Sequence, residues 1–145
     1  MLQQKKITFL IALSLVVIDQ LIKYTLVTGG IFVWGPFRWL SIRVTENRGI
    51  AFSIPFPRAL LIILSAAIIG LALWWFKKHT HTLGAALGFG LFVGGALSNL
   101  LDRIFHGAVT DYLNIATGSF NLADFAIIAG LLLLIFSPSQ PKQKD

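Results

Sequence analysis

Six acidic side chains occur in this 145-residue chain, and five of them stand at the ends of long apolar runs or in the loops between. These are Asp19, Glu46, Asp102, Asp111 and Asp124; the sixth, Asp145, closes the tail. A carboxylate beside hydrocarbon is expensive, about 2.5–3.5 kcal/mol for an Asp at a membrane-helix centre, and so tends to mark function. Two carboxylates sharing a proton can do acid–base work: one activates a water while the other protonates a leaving amine. Desolvation and mutual repulsion raise one pKa of such a pair, and the resulting values belong to the pair. Asp19, Asp102, Asp111 and Asp124 are the candidate members, and residue type alone does not choose two of them.

The elements that must position these residues are apolar. Hydrophobic residues make up 56% of the chain and charged residues 12%, the balance of a membrane-embedded protein. Four segments, about residues 7–27, 59–76, 83–101 and 120–136, come close to the roughly 20 residues that cross a bilayer. The expected fold is therefore an all-α membrane protein of four transmembrane helices, one membrane domain over residues 1–145. Trp74 and Trp75, followed by Lys77 and Lys78, end the second segment as interfacial anchors do. Lys5 and Lys6 before the first segment imitate a signal peptide, but no small-residue cleavage site follows, and a retained span is expected. In the third segment Ala86, Gly90, Gly94 and Ser98 form a small-residue ridge ending on Asp102, with Gly84 and Gly88 as a second small pair.

Two loops are long, about residues 28–58 and 102–119. In the first, Leu40, Ile42 and Val44 alternate with Ser41, Arg43 and Thr45, a strand pattern, and residues 50–54 offer a second strand stopped by Pro55 and Pro57. A small extracytoplasmic sheet is expected there. The second loop is partly amphipathic and is expected to form a short interfacial helix. The tail from Pro138 is short and polar and is expected to fray.

Alternating spans bring the end of the first, the end of the third, the start of the fourth and both long loops to one membrane face. Asp19, Gln20, Lys23, Asn47, Asn99, Asp102, Arg103, Asp111, Asn121 and Asp124 then share that face. Each group also has a plainer reading. Asp19 and Lys23, at i,i+4 spacing, fit an interfacial salt bridge or a snorkelling lysine. Asn99, Asp102 and Arg103 fit a polar helix terminus, and Asn121 fits a cap that leaves Asp124 in a first turn, where the helix dipole favours it.

Other chemistries are narrowed by composition. The chain has no cysteine, which removes disulfides, thiolate metal sites and cysteine nucleophiles. His79 and His81 lie on the opposite face, so only His106 is within reach for serine catalysis, and a metal set of those two with a carboxylate does not assemble. The formal net charge is +6, but the basic residues are scattered and lack the stripe that nucleic acid requires. Anionic lipid is the simpler partner. Six Lys or Arg fall on each side of the membrane, a tie that the long structured loop tips toward cytoplasmic termini.

Five blocks occur in order along the chain: Asp19-Gln20-Leu21-Ile22-Lys23-Tyr24; Asn47-Arg48-Gly49-Ile50-Ala51-Phe52-Ser53; Gly94-Gly95-Ala96-Leu97-Ser98-Asn99-Leu100-Leu101-Asp102-Arg103; Gly107-Ala108-Val109-Thr110-Asp111; and Phe120-Asn121-Leu122-Ala123-Asp124. Together they resemble the bacterial prolipoprotein signal peptidases, the signal peptidase II family. The resemblance implies an aspartic intramembrane endopeptidase that calls for no cofactor and no metal. Its substrate is a prolipoprotein carrying diacylglycerol on a cysteine, cut just before that cysteine. Asp111 and Asp124 are then the catalytic pair. Asn99, Arg103 and Asn121 hold the pair and the substrate backbone, and Asn47 reaches in from the loop. Asp19 and Lys23 support a polar floor, and Asp102 is a structural partner. Ser98 stands where the family usually has Gly, Ile50 where it commonly has Ala, and Asn114 where an acid is often seen.

The same resemblance places the chain as a multi-pass protein of the bacterial cytoplasmic (inner) membrane, termini cytoplasmic and site outward. The expected partners are lipidated prolipoprotein and membrane lipids, with the chain a monomer. Two other classes stay open on the residues themselves. A proton- or ion-coupled transporter would use the carboxylates as a relay, though it would want charges spread through the membrane depth. A non-catalytic membrane binding protein would show no turnover.

Overall fold

The computed structural model describes residues 2–35, 37, 39–50, 54, 56–137 and 139–141. Four helices dominate: α1 (Leu2–Gly29), α2 (Arg58–Lys78), α3 (Leu83–Phe105) and α4 (Leu122–Phe136). The first three are long and apolar enough to cross a membrane. The fourth has 15 residues, a rise of about 22 Å at 1.5 Å per residue, short of the roughly 30 Å hydrocarbon core. The helices overrun the apolar segments where polar residues can extend them. Thr25 and Thr28 donate their hydroxyls back to the Leu21 and Tyr24 carbonyls at 2.7 and 2.8 Å, carrying α1 on to Gly29. Thr82 caps α3 by accepting from the Ala85 N–H, and Gly107, at φ +82°, turns the chain away after the helix ends.

α3 is the central helix. Its small residues divide between two neighbours. Ala86, Gly90, Gly94 and Ser98 face α1: Thr8 donates to the Ala86 carbonyl at 2.9 Å, and a Cβ on Gly94 would meet the Ala12 backbone at 2.9 Å. Gly88 and Gly95 face α4, where a Cβ on Gly95 would come within 2.5 Å of the Ala123 carbonyl oxygen. The expected ridge thus faces α1 as one stripe, Gly88 of the second small pair faces α4, and both backbones approach α3 because no side chain intervenes. Contacts between α1 and α3 advance together in sequence, so these helices run parallel, while α4 runs against α3. α2 rests on α3 through Ile69, Phe76, Phe89, Val93 and Leu100, with the rings of Phe76 and Phe89 4.6 Å apart.

Above the bundle lies an antiparallel sheet. Its strands are β1 (Phe32–Trp34), β2 (Leu40–Asn47), β4 (Val109–Ile115) and β5 (Gly118–Phe120), in the order β1-β2-β4-β5. β2 appears where the alternation predicts a strand. The interfacial helix expected over the second loop does not form. Residues 109–115 are instead β4, paired along β2 with Thr45 opposite Asp111 and Asn47 opposite Val109. The physical reason is pairing: β2 has backbone groups to satisfy, and the β-branched Val109, Thr110 and Ile115 suit a strand beside it. Ala116, at φ 52°, then turns the chain tightly into β5. The sheet therefore draws on both loops. Most of the strand expected over residues 50–54 lies outside the described residues; its ends are tied by the Ile50 N–H donating to the Ile54 carbonyl. A two-stranded ribbon of β3 (His79–His81) and β6 (Ser139–Pro141) sits at the other end, so part of the tail expected to fray is paired.

Candidate active site

Parallel packing of α1 on α3 sets Asp19 and Lys23, one turn apart, against Ser98, Asn99 and Asp102. Lys23 Nζ lies 2.7 Å from Asp19 Oδ2, 2.8 Å from Asp102 Oδ2 and 3.2 Å from Asn99 Oδ1, an acceptor for each of its three protons. The carboxylates are held further. Ser98 donates to Asp19 at 2.6 Å, Gln20 to Asp102 at 2.8 Å, and the Thr110 N–H to Asp102 at 3.0 Å. The spacing rightly paired Asp19 with Lys23, but the ammonium is enclosed against α3 and does not snorkel to the surface. Asp19, Lys23 and Asp102 are exposed by 0, 3 and 1%. His106, the one histidine near the site, stands 3.8 Å from Asp102 in the open.

The other two carboxylates meet through Asn121. This residue caps α4: its Oδ1 accepts from the Asp124 N–H at 3.0 Å, and its own N–H donates to Asp124 Oδ2 at 3.1 Å. Its side-chain amide also donates to Asp111 Oδ1 on β4 at 2.6 Å. Asn47, from the end of β2, donates to the second oxygen of Asp111 at 3.2 Å. Asn99 donates to Asp124 Oδ1 at 2.8 Å. One cap residue therefore ties a strand carboxylate to a helix carboxylate. All these donors are neutral amides, and neither Asp111 nor Asp124 has an ion pair among the described residues.

Burial, and next the negative charge of Asp124, push the Asp111 carboxyl up to about 6. The amides of Asn47 and Asn121 and the charge of Lys23 pull the other way without reversing it. Beside it, Tyr112 accepts from the Leu122 N–H at 2.9 Å, and burial lifts its phenol to about 12, so it stays neutral.

A cavity of about 260 Å³ opens on Asp124, lined also by Asn47, Asn99, Arg103, Phe120 and Ile127 among others. A groove of about 260 Å³ between α2, α3 and α4 shares Asn99, Arg103, Asp124 and Ile127 and adds Ser65, Ile68, Phe92 and Ala96. Asp124 thus lines both the cavity and the groove, each walled mostly by apolar atoms, while Asp111, 1% exposed, sits behind the amides. Arg103 donates weakly to the Asn99 carbonyl at 3.4 Å, and its Nε is buried without a partner among the described residues. Such a set can exchange protons and offer donors to a bound carbonyl.

The ten polar residues that topology gathered do form one contiguous network. Glu46 is outside it, paired with Arg48 in solvent at 2.8 Å. Ser98, read from sequence only as a packing residue, also bonds Asp19, and its place at the end of the ridge facing α1 was the available signal. Tyr112 and its hold on the start of α4 had no sequence signal.

The model of the family described as signal peptidase (SPase) II matches residues 11–138. The chain is 38% identical to the lipoprotein signal peptidase of Methylobacterium radiotolerans over 148 aligned positions, 91% of this chain and 85% of that one. It is 32% identical to the lipoprotein signal peptidase of Streptococcus pneumoniae, with 94% of each chain covered. Among solved structures, a bacterial membrane enzyme obtained by the in meso method superposes with a TM-score of 0.80 at 28% identity, covering 89% of this chain and 85% of that one. The matched span runs from within α1 to just past α4 and takes in both carboxylate pairs, so the chain belongs to the signal peptidase II family.

Proposed function

We propose that this protein is a membrane aspartic endopeptidase that removes the signal peptide from diacylglyceryl-modified prolipoproteins, with Asp111 and Asp124 as its catalytic pair. The observation that carries the choice of pair is the contrast in partners. Lys23 occupies Asp19 and Asp102, whereas Asp111 and Asp124 are joined through Asn121 and held only by neutral donors. A pair sharing one proton is served by this setting, since a cation bonded directly to the pair would favour the ionised form of both.

In the proposed reaction one carboxylate takes a proton from water as the water oxygen bonds to the scissile carbonyl carbon. The partner carboxyl then gives its proton to the cysteine's own backbone nitrogen, and the C–N bond breaks. The products are a signal peptide with a new carboxyl end and a lipidated cysteine with a free amine. Asn99 and Asn121 hold the pair, Asn47 fixes Asp111 from the sheet, and the unpartnered Nε of Arg103 serves the substrate backbone. Asp19, Lys23 and Asp102 form the floor that fixes Asn99. The groove between α2, α3 and α4 receives the apolar signal helix, whose scissile bond then sits at Asp124.

This reading makes α4 a fourth span, short because its start recedes to the depth of the site. It places both termini on the cytoplasmic side of the bacterial inner membrane, the sheet and pair outward, with the enzyme a monomer among lipids. A transporter finds no support in the family, whose named relatives are peptidases. The deciding experiment is a gel-shift assay on a purified lipidated prolipoprotein in detergent. Asp111→Asn and Asp124→Asn are each expected to abolish the shift while the variants remain folded; full activity in either removes the assignment.

A further inference from the structure

An apolar groove larger than either space at the site lies elsewhere in the bundle. It holds about 500 Å³, on the face of α3 between α1 and α2, within the range of about 300–1,000 Å³ typical of ligand pockets. Ala12, Leu13 and Val16 form one wall, Leu73 and Phe76 the other, and Val93, Leu97 and Leu101 the floor. The floor residues are spaced by four, one stripe of α3, while the site groove uses Phe92, Ala96, Asn99 and Arg103 on another. A substrate helix lodged at Asp124 would therefore leave this groove free.

Its far end is charged. Lys5 in α1 and Lys77 in the last turn of α2 both line the groove, at the end of the bundle remote from Asp19 and Asp102. Neither makes an ion pair among the described residues. No acidic residue is described at that end; Asp145 lies outside the described residues. The neighbouring Lys78 is turned elsewhere, its Nζ 4.2 Å over the Trp74 ring. An acyl-length apolar trough closed by two cations has the chemistry of a phospholipid site: chain along the helices, phosphate between the lysines.

We propose that this groove binds one anionic phospholipid from the leaflet that surrounds the start of α1, with its phosphate between Lys5 and Lys77. The lipid would fill the space between α1 and α2, two helices that otherwise meet mainly through α3.

The test uses the purified full-length chain in detergent and native mass spectrometry, titrating phosphatidylglycerol or phosphatidylcholine of identical acyl chains. The expected result is one retained phosphatidylglycerol per monomer, bound about 30-fold more tightly than phosphatidylcholine, the product of about fivefold for each of the two lysines. The Lys5→Gln/Lys77→Gln variant should bring the two lipids to equal affinity. Leu13→Trp, at a half-exposed wall position, should reduce retention of both. Lys6→Gln/Lys78→Gln, with the same change in net charge, should leave the preference intact. Equal retention of both lipids by the parent protein overturns the proposal. So does an equal loss in the Lys6/Lys78 variant, or a groove filled by a second copy, seen as a lipid-free dimer.

Discussion

Two buried carboxylate pairs lie within one layer of this molecule, and they are held by opposite means. Asp19 and Asp102 share a lysine ammonium that has a partner for every proton. Asp111 and Asp124 share an asparagine and receive only amide hydrogens. Asp19, Asp102 and Asp111 are nearly fully buried and Asp124 only partly so, so burial does not separate Asp111 from the lysine-held two. The charge of the nearest donor does. A lysine with an acceptor for each proton ties α1 to α3 as scaffolding, whereas neutral amides position a carboxylate without balancing its charge.

The strongest way to break this comparison is to remove one proton-exchanging oxygen from each pair in turn. Asp111→Asn or Asp124→Asn should lower the cleavage rate by about 10³-fold or more, within the range of general acid–base effects, with the melting temperature retained. Asp19→Asn should do the reverse, lowering the melting temperature first because Lys23 loses a counter-charge. Rates and melts of the same preparations read both arms, and a melting loss in the Asp111 variant as large as in the Asp19 variant would erase the distinction.

Next in size is the lysine itself. Lys23→Met leaves two buried carboxylates facing each other without a cation, and breaking a buried pair in this way costs about 3–5 kcal/mol. Thermal unfolding in detergent should show the loss. Asp19→Asn combined with Lys23→Met and Asp102→Asn should recover part of it, because the uncompensated charge is gone. A Lys23→Met protein that melts with the parent would mean that the network does not hold α1 to α3.

How far these pairs could be read from sequence depends on what sets each one. The Asp19–Lys23 spacing is local, and helix geometry makes the bridge from residue numbers alone. The Asn121–Asp124 cap is equally local, and its pattern was legible. The link from Asn121 to Asp111 is not, because it depends on β4 lying beside β2 rather than coiling as an interfacial helix. Pairing of two strands 60 residues apart in sequence leaves only a weak mark in either one. The same register puts Asn47 at Asp111, a contact that resemblance implied and periodicity could not supply. The family blocks point to Asp111 and Asp124 as the proposed pair; the geometry adds that Lys23 occupies the other two carboxylates.

The pH dependence of stability offers a finer test. Asp111 is raised from 3.8 to about 6 on folding, so the folded state holds its proton more tightly than the unfolded chain. Its contribution to stability is therefore full below pH 3.8 and is lost as the pH rises through 6. The loss is about 2 kcal/mol once solvent screening through the adjoining cavity is allowed for. Asp111→Asn removes this slope, so the variant should gain on the parent between pH 4 and 7 in melting experiments. A parent–variant difference that stays flat across that window would show that folding leaves the Asp111 proton held no more tightly than in the unfolded chain.

The smallest effect belongs to the acid that joins neither pair. Glu46 sits on the same strand as Asn47, and its carboxylate reaches Arg48 at 2.8 Å, as short as the bond from Lys23 to Asp102. Distance alone would rank the two bridges together. Exposure separates them, since the side chains of Arg48 and Glu46 are 80 and 64% exposed, and such pairs are worth about 0–1 kcal/mol because water competes for both partners. Glu46→Gln should therefore shift the melt by no more than about 0.5 kcal/mol and leave cleavage unchanged. A large loss of activity in that variant would give Glu46 a role at the substrate, and the contrast would then have to include charge at the mouth of the cavity as well as charge beneath it.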